Sequence, residues 1–190
     1  MEKADKRREI MEAALELIVE KGFRIPMSEI ARKAEVGAGT IYRYFVSKDV
    51  LITQLHQDLE DRILQILKND YPTGKPIKDR FLYVLKEIIK YFMANPLHFR
   101  YMEQFYNSPY GATMRRDRLL GIAKNKNLVL DIFLEGVERN IFKDMPIVVI
   151  FALAFGPLIT LIRDHILGFI VLDDKVISCV TEACWDAIKR

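Results

Sequence analysis

Apolar residues recur at intervals of three and four along most of this 190-residue chain, and apolar and polar residues rarely alternate. Such spacing predicts helices, because 3.6 residues per turn bring these positions onto one face. In a first helix over about residues 6–21, Ile10, Ala14 and Leu17 follow this spacing, and Gly22 supplies a left-handed stop. The pattern predicts an all-α fold.

Proline, glycine and capping residues divide the chain into separate helices. Short helices are expected at about 26–34 and 40–45, and Ser47 can cap a long helix that starts at Lys48. Segments that contain Pro or Gly separate the later helices. Those helices are predicted at about 48–68, 77–93, 96–107, 113–139, 145–167 and 174–189. Three short helices therefore precede a long one.

The segment from Met145 to Ile162 contains 18 residues without a charge, close to the length that spans a bilayer. Gly156-Pro157 interrupts it, Arg163 closes it, and no Trp or Tyr lies beside it as an interfacial anchor. We expect a helix buried between subunits and no contact with a membrane.

Composition adds little about partners but indicates a compartment. The 29 basic and 26 acidic residues leave a net charge of +3, too small to identify a polyanionic partner by itself. No apolar segment of the kind found in signal peptides follows the charged first residues, so no signal peptide is expected. Cys179 and Cys184 fall on different faces of one predicted helix, which disfavours a mutual disulfide and suggests a reducing cytoplasm.

The most informative segment is Ile30–Leu51, which reads IARKAEVGAGTIYRYFVSKDVL. An Ile-Ala pair precedes a run of small residues ending in Gly39-Thr40, then Ile-Tyr-Arg-Tyr-Phe, and then Lys48 three residues before Leu51. Over about residues 8–51 the chain resembles the TetR family of bacterial regulators; the rest matches only in length, helix count and apolar character. The resemblance implies an N-terminal three-helix helix-turn-helix DNA-binding domain at 1–47. A helical effector-binding and dimerisation domain would occupy 48–190.

Residue chemistry agrees with a role in binding duplex DNA. A short helix that begins with small residues can enter the roughly 12 Å wide major groove, and no acidic residue occurs from Val36 to Lys48. The predicted DNA-binding residues are Ser28, Gly37, Ala38, Gly39, Thr40, Tyr42, Arg43, Tyr44 and Lys48.

The resemblance also implies separate roles within this set. Tyr42 and Lys48 are expected to hold phosphates, whereas Thr40, Arg43 and Tyr44 face the groove. Arg43 is the best candidate for guanine readout, because a guanidinium pairs with O6 and N7 together. Tyr44 has an alternative place in the core, and the alternative for Lys48 is a solvated helix terminus. Residues 6–8 form either a phosphate-binding arm or a solvated end.

Three positions depart from the family pattern. Glu35 replaces a glycine where the turn often needs a left-handed backbone. Gly37 stands where a capping Ser or Thr is common, and Ile25 has no side-chain oxygen with which to cap the second helix. We expect altered turn geometry at Glu35 and weaker DNA contacts at Gly37 and Ile25.

Fourteen of the 20 aromatic residues lie between Phe81 and Phe169, which suits an apolar cavity between helices, although aromatic residues at this spacing also form ordinary cores. The residues predicted to bind a small hydrophobic or aromatic effector are His98, Met102, Phe105, Tyr106, Asn127, Phe151 and Phe155.

The family resemblance further implies a homodimer built from the last two predicted helices. The predicted dimer-interface residues are Phe151, Ile159, Ile162, Val176, Val180, Cys184 and Trp185. Two subunits would place their recognition helices in successive major grooves, about 34 Å apart. An effector that changes this separation would lower DNA affinity.

The sequence gives little support to two other classes of function. Catalysis is not expected, since His56, His98 and His165 are isolated and neither H-E-x-x-H nor G-x-S-x-G occurs. No cofactor and no metal are expected. The alternative is a helical interaction or membrane-associated module without sequence-specific DNA binding, which only the uncharged segment at 145–162 supports.

Overall fold

The computed structural model describes residues 2–119 and 128–190, with the side chains of 5–117 and 128–190. Within these ranges the chain is helical without a named strand; one isolated bridge joins Phe142 and Lys189. The all-α prediction is confirmed. The helices are α1 (Glu2–Lys21), α2 (Met27–Lys33), α3 (Ala38–Tyr44), α4 (Lys48–Asn69), α5 (Ile77–Ala94), α6 (Pro96–Tyr106), α7 (Pro109–Leu119), α8 (Leu128–Glu138), α9 (Ile147–Ile166) and α10 (Asp174–Ile188).

Local chemistry sets several helix ends. Gly22 has the expected left-handed backbone, with φ of 77°, after α1. The predicted start of α2 at Pro26 is wrong by one residue, because Pro26 is the extended N-cap. The predicted start of α3 at Thr40 is also late, because Gly37 is the N-cap and its carbonyl accepts from the Thr40 and Ile41 amides.

The predicted helix over 113–139 is wrong at its beginning. A helix starts earlier, at Pro109, because proline suits the first helical position and the Ser108 hydroxyl oxygen accepts from the Gly111 amide. Gly111 is required there, since a Cβ at this position would overlap the carbonyl oxygen of Phe105.

The chain forms two compact units, Met1–Arg62 with Leu97–Arg115, and Ile63–Pro96 with Arg116–Arg190. We call them the first and the second unit. The first unit thus includes α6 and the beginning of α7. Both were predicted to lie in the effector-binding and dimerisation domain at 48–190. The predicted functional division between residues 47 and 48 stays a prediction.

The core of the first unit joins α1, α2 and α3. The apolar face predicted for α1 is buried, as are Ile30 and Ala31 of α2, Ile41 of α3 and Phe45 after it. Val36, in the turn between α2 and α3, is half-buried. These contacts fix the angle at which α3 leaves the turn.

The second unit is built around aromatic rings from α5, α8 and α10. Phe81 packs against Phe133 and Trp185, with ring centroids 5.9 and 5.5 Å apart. Helix α9 continues through Pro157 without a break. Of its most apolar 18-residue stretch, 22% is buried. In the described ranges α9 alone is long and apolar enough to cross a membrane, and a helix covered by a second subunit has the same composition.

Candidate DNA-binding surface and sensor residues

Helices α2 and α3 meet in a tight turn that presents α3 to the outside. Helix α2 ends at Lys33, and Glu35 takes a left-handed φ of 52°, which reverses the chain before Gly37 opens α3. Buried Ile30 and Ile41 hold the two helices together. The sequence therefore forms a helix-turn-helix motif. Its second helix buries Ile41 and leaves its other residues exposed or half-buried.

The open faces of α3 carry the predicted contact residues. Gly37, Ala38, Gly39 and Arg43 are exposed, and the Tyr42 side chain is 52% exposed. A Cβ added at Gly39 would meet no atom within 4 Å, so the surface of α3 is open at this residue.

The other predicted residues lie around α3. Ser28 is exposed on α2, whereas Thr40 and Tyr44 are half-buried. The Arg43 guanidinium carbon lies 5.7 Å from the centroid of the Tyr44 ring, within the range of a cation–π contact. The Tyr44 side chain is therefore partly covered by its own chain, and its contact with the Arg43 guanidinium can orient that group.

Lys48 has a structural role that the sequence did not predict. Its Nζ donates to the carbonyl oxygens of Phe23 and Ile25, at 3.0 and 3.2 Å. These bonds fix the start of α4 to the loop between α1 and α2, and an ammonium has one further donor for a phosphate. Ser47 caps α4 as expected, since its hydroxyl oxygen accepts from the Val50 amide at 3.2 Å.

The basic residues near the amino terminus are part of α1. Lys6 donates to Glu9 at 2.7 Å, and this hydrogen bond raises the pKa of Lys6. Arg7 donates to the Gln54 side chain at 2.8 Å, and its guanidinium carbon lies 5.5 Å from the Phe45 ring centroid. Arg7 therefore links α1 to α4 and to the end of α3.

Glu35 gives the first testable prediction. A left-handed backbone costs a residue with a Cβ roughly 1–2 kcal/mol, and glycine adopts it readily. We expect Glu35→Gly to raise the free energy of unfolding by about 1 kcal/mol and to strengthen DNA binding, because a carboxylate beside α3 is removed. Chemical denaturation and DNA titration measure the two effects.

Glu35→Gln is the matched control, because it removes the charge and keeps the Cβ. It should reproduce the gain in DNA affinity without the gain in stability. Equal stability of the Gly and Gln variants would contradict the argument from backbone strain.

The predicted effector-binding residues fall in both compact units. On α6, in the first unit, Met102 and Phe105 are buried, His98 is half-buried and Tyr106 is exposed. Burial lowers the pKa of His98.

In the second unit, Phe151 and Phe155 are half-buried on α9 and stack on each other with centroids 5.8 Å apart. Phe151 also stacks on Phe133 at 4.1 Å. Asn127 lies outside the described residues. The α6 and α9 sets are thus distinct groups, each with its own neighbours.

The predicted dimer-interface residues are also of two kinds. Ile162, Cys184 and Trp185 are buried within their own chain. Ile159 is 41% exposed, and Phe151, Val176 and Val180 are half-buried. Apolar residues that the sequence did not single out are also exposed on α9, and they are Val148, Val149 and Leu153. Helical periodicity marked these faces as apolar but could not tell which residues the chain's own helices cover.

An exposed α3 held by a helix-turn-helix core, followed by a larger helical body, defines the class of DNA-binding regulators with an N-terminal headpiece. Residues 10–55 match the family described as "Bacterial regulatory proteins, tetR family", and residues 76–189 match "Tetracyclin repressor-like, C-terminal domain". The chain belongs to the TetR family of transcription regulators, whose members bind DNA and dimerise.

Individual proteins resemble the chain over nearly its whole length. An uncharacterized helix-turn-helix transcriptional regulator of Haemophilus influenzae is 26% identical, over 99% of this chain and 98% of that protein. The structure of a putative TetR-family regulator from Vibrio parahaemolyticus is 29% identical with a TM-score of 0.75, covering 97% of this chain and 99% of that one.

A more distant structure, of FadR from Bacillus subtilis, was solved in complex with stearoyl-CoA. It is 17% identical, with a TM-score of 0.69 over 94% of this chain and 95% of that one, so the likeness shows the fold alone.

Proposed function

We propose that this transcription regulator is a cytoplasmic repressor that binds a pseudo-palindromic operator as a homodimer and leaves it when a small hydrophobic or aromatic effector binds. The observation that carries the DNA-binding part is the exposed, acid-free face of α3. Over residues 36–48 this face offers small residues, hydroxyl groups and cations to a polyanion.

The proposed contacts divide by chemistry. The Tyr42 hydroxyl and the Lys48 ammonium would hold phosphates, which gives affinity that depends on salt and little on sequence. Arg43, with Thr40 and Tyr44 beside it, would read base edges in the major groove. Ser28 on α2 would add one contact to a backbone or base.

The homodimer is proposed to form through the uncovered apolar side chains of α9 and α10. Ile159 shares one face of α9 with exposed Val148, and Val149 and Leu153 are exposed elsewhere on the same helix. Several exposed apolar side chains on one helix favour an interaction surface. Pairing would also place two copies of α3 one helical turn of DNA apart.

Release of the operator by the effector is proposed to act through α6. Within the first unit, hydrogen bonds join α6 to α1 and α7 to α4. Gln104 donates to the Val19 carbonyl at 3.0 Å, and the Tyr110 hydroxyl donates to the Asp49 carboxylate at 2.6 Å. Burial and the hydrogen bond to Asp49 raise the pKa of Tyr110 to about 12, so the phenol remains a donor at neutral pH. A ligand that displaces α6 would therefore move α1 and α4.

Selection of bound sequences from random DNA duplexes tests the proposal. We expect two inverted half-sites about one helical turn apart, bound by one dimer, with affinity that falls steeply as salt rises. If no preferred sequence is recovered, the proposal is contradicted. That result would favour the alternative, a helical interaction or membrane-associated module without sequence-specific DNA binding. An effector that binds tightly but leaves operator affinity unchanged would refute the release step.

A further inference from the structure

His56 is a buried polar residue that the DNA-binding surface does not use. It lies in α4 with 0% of its surface exposed, and among the described residues neither ring nitrogen completes a hydrogen bond. Its Nε2 lies 3.2 Å from Oε1 of Glu60, one turn later, but without the alignment of a hydrogen bond. Buried polar groups in native proteins nearly always have a partner, from the protein, water or a ligand. This imidazole is therefore a candidate place for a further group to bind.

The surroundings of His56 combine aromatic walls with oxygen atoms. Its ring stacks on Phe105 with centroids 3.7 Å apart and planes at 9°, and meets the Tyr106 ring edge-on at 5.6 Å. The Tyr106 hydroxyl donates to Oε1 of Glu60 at 3.3 Å. All four residues belong to the first compact unit, on α4 and α6.

Access to this group of residues is from the side of Tyr106. The Tyr106 side chain is 38% exposed, and the Glu60 side chain is partly exposed, whereas His56 and Phe105 are buried. Tyr106 is thus the most exposed member of this group, and a ligand from solvent would meet it first.

We propose that His56, Glu60 and Tyr106 bind the polar end of the effector, and that this end is a protonated primary amine. The inference rests on the proposed effector-responsive function and specifies the chemical class of its ligand. A His56 ring nitrogen, a Glu60 carboxylate oxygen and the Tyr106 hydroxyl oxygen can each accept a hydrogen bond, and an ammonium has three donors.

The aromatic walls favour the same chemistry. A cation beside an aromatic ring is attracted to its negative face, and the partly exposed Tyr106 supplies such a ring. A carboxylate in this place would offer only acceptors to the Glu60 carboxylate and would be disfavoured. The site therefore selects an amine on an aromatic or apolar body over the acid of the same shape.

Three probes of equal length test this selection with the full chain and without DNA. They are 4-phenylbutylamine, 4-phenylbutan-1-ol and 4-phenylbutanoate, titrated by isothermal calorimetry at neutral pH. We expect the amine to bind at least tenfold more tightly than the alcohol, and the acid to bind most weakly. Similar affinities for all three probes, preference for the acid, or no binding of any probe would overturn the proposal.

Variants then locate the site. Glu60→Gln should weaken amine binding at least tenfold and alcohol binding by less than threefold, whereas Asp61→Asn, an exposed carboxylate on the same helix, should change neither. If Glu60→Gln does not fold by circular dichroism, Tyr106→Phe keeps the ring, removes one acceptor and should weaken the amine severalfold. Unchanged amine binding in a folded Glu60→Gln or Tyr106→Phe variant would overturn the assignment.

The two proposals fail separately because the titration contains no DNA. Amine binding that depends on Glu60, without any effect on operator affinity, would support the site and refute the release step. Operator release by 4-phenylbutanoate, with amine binding absent, would support the repressor and overturn the amine site.

Discussion

Replacing Arg43 by alanine is expected to relax base preference at one position of each half-site. The guanidinium is exposed on α3, and a bidentate contact with guanine discriminates against a wrong base by about 1–3 kcal/mol. Arg43→Lys should lose most of the same preference while keeping the charge, because an ammonium lacks the planar fork. Sequence selection with each variant measures the change.

Lys48→Ala provides the comparison, because it should weaken binding to all sequences to a similar extent. It should also lower the free energy of unfolding, since the carbonyls of Phe23 and Ile25 lose their donor. Arg100→Ala, which removes an exposed arginine from α6, should alter neither preference nor affinity. Unchanged base preference in both Arg43 variants would refute the role of this residue in readout.

Replacing Ile159 by aspartate is expected to dissociate the dimer and thereby abolish tight operator binding. Ile159 is 41% exposed in its own chain, and a carboxylate buried in an apolar interface without a partner loses several kcal/mol of hydration. We expect the dimer dissociation constant to rise by more than about 100-fold, which corresponds to roughly 2.7 kcal/mol. Sedimentation equilibrium measures this constant directly.

Leu97→Asp is the matched control for Ile159→Asp. It places the same charge at an exposed leucine in the first turn of α6, where an acidic residue suits the helix dipole. It should leave the dimer intact. A fully dimeric Ile159→Asp variant would show that the subunits pair elsewhere.

The fold was predictable where local chemistry decides it. Gly22 ends α1, Ser47 caps α4, and the buried Ile30 and Ile41 follow the spacing of a helix-turn-helix. At Glu35 the expected change in turn geometry was wrong, because this residue keeps the left-handed backbone of the family pattern. Each of these features depends on a few consecutive residues, which a sequence displays directly.

Features that depend on distant residues were missed. Lys48 bonds to carbonyls more than 20 residues earlier, and the surroundings of His56 include Phe105 and Tyr106 from another helix. Trp185 was predicted at the dimer interface, and it is buried against Phe81 of its own chain. Periodicity shows that a face is apolar, and only the packing of the helices shows what covers it.

Protection of guanine N7 from methylation by dimethyl sulfate tests most directly whether α3 enters the major groove, because N7 lies in that groove. On the selected operator, we expect protection at one guanine in each half-site, with the two sites about one helical turn apart, and loss of this protection with Arg43→Ala. Full occupancy of the operator with every N7 reactive would contradict the account.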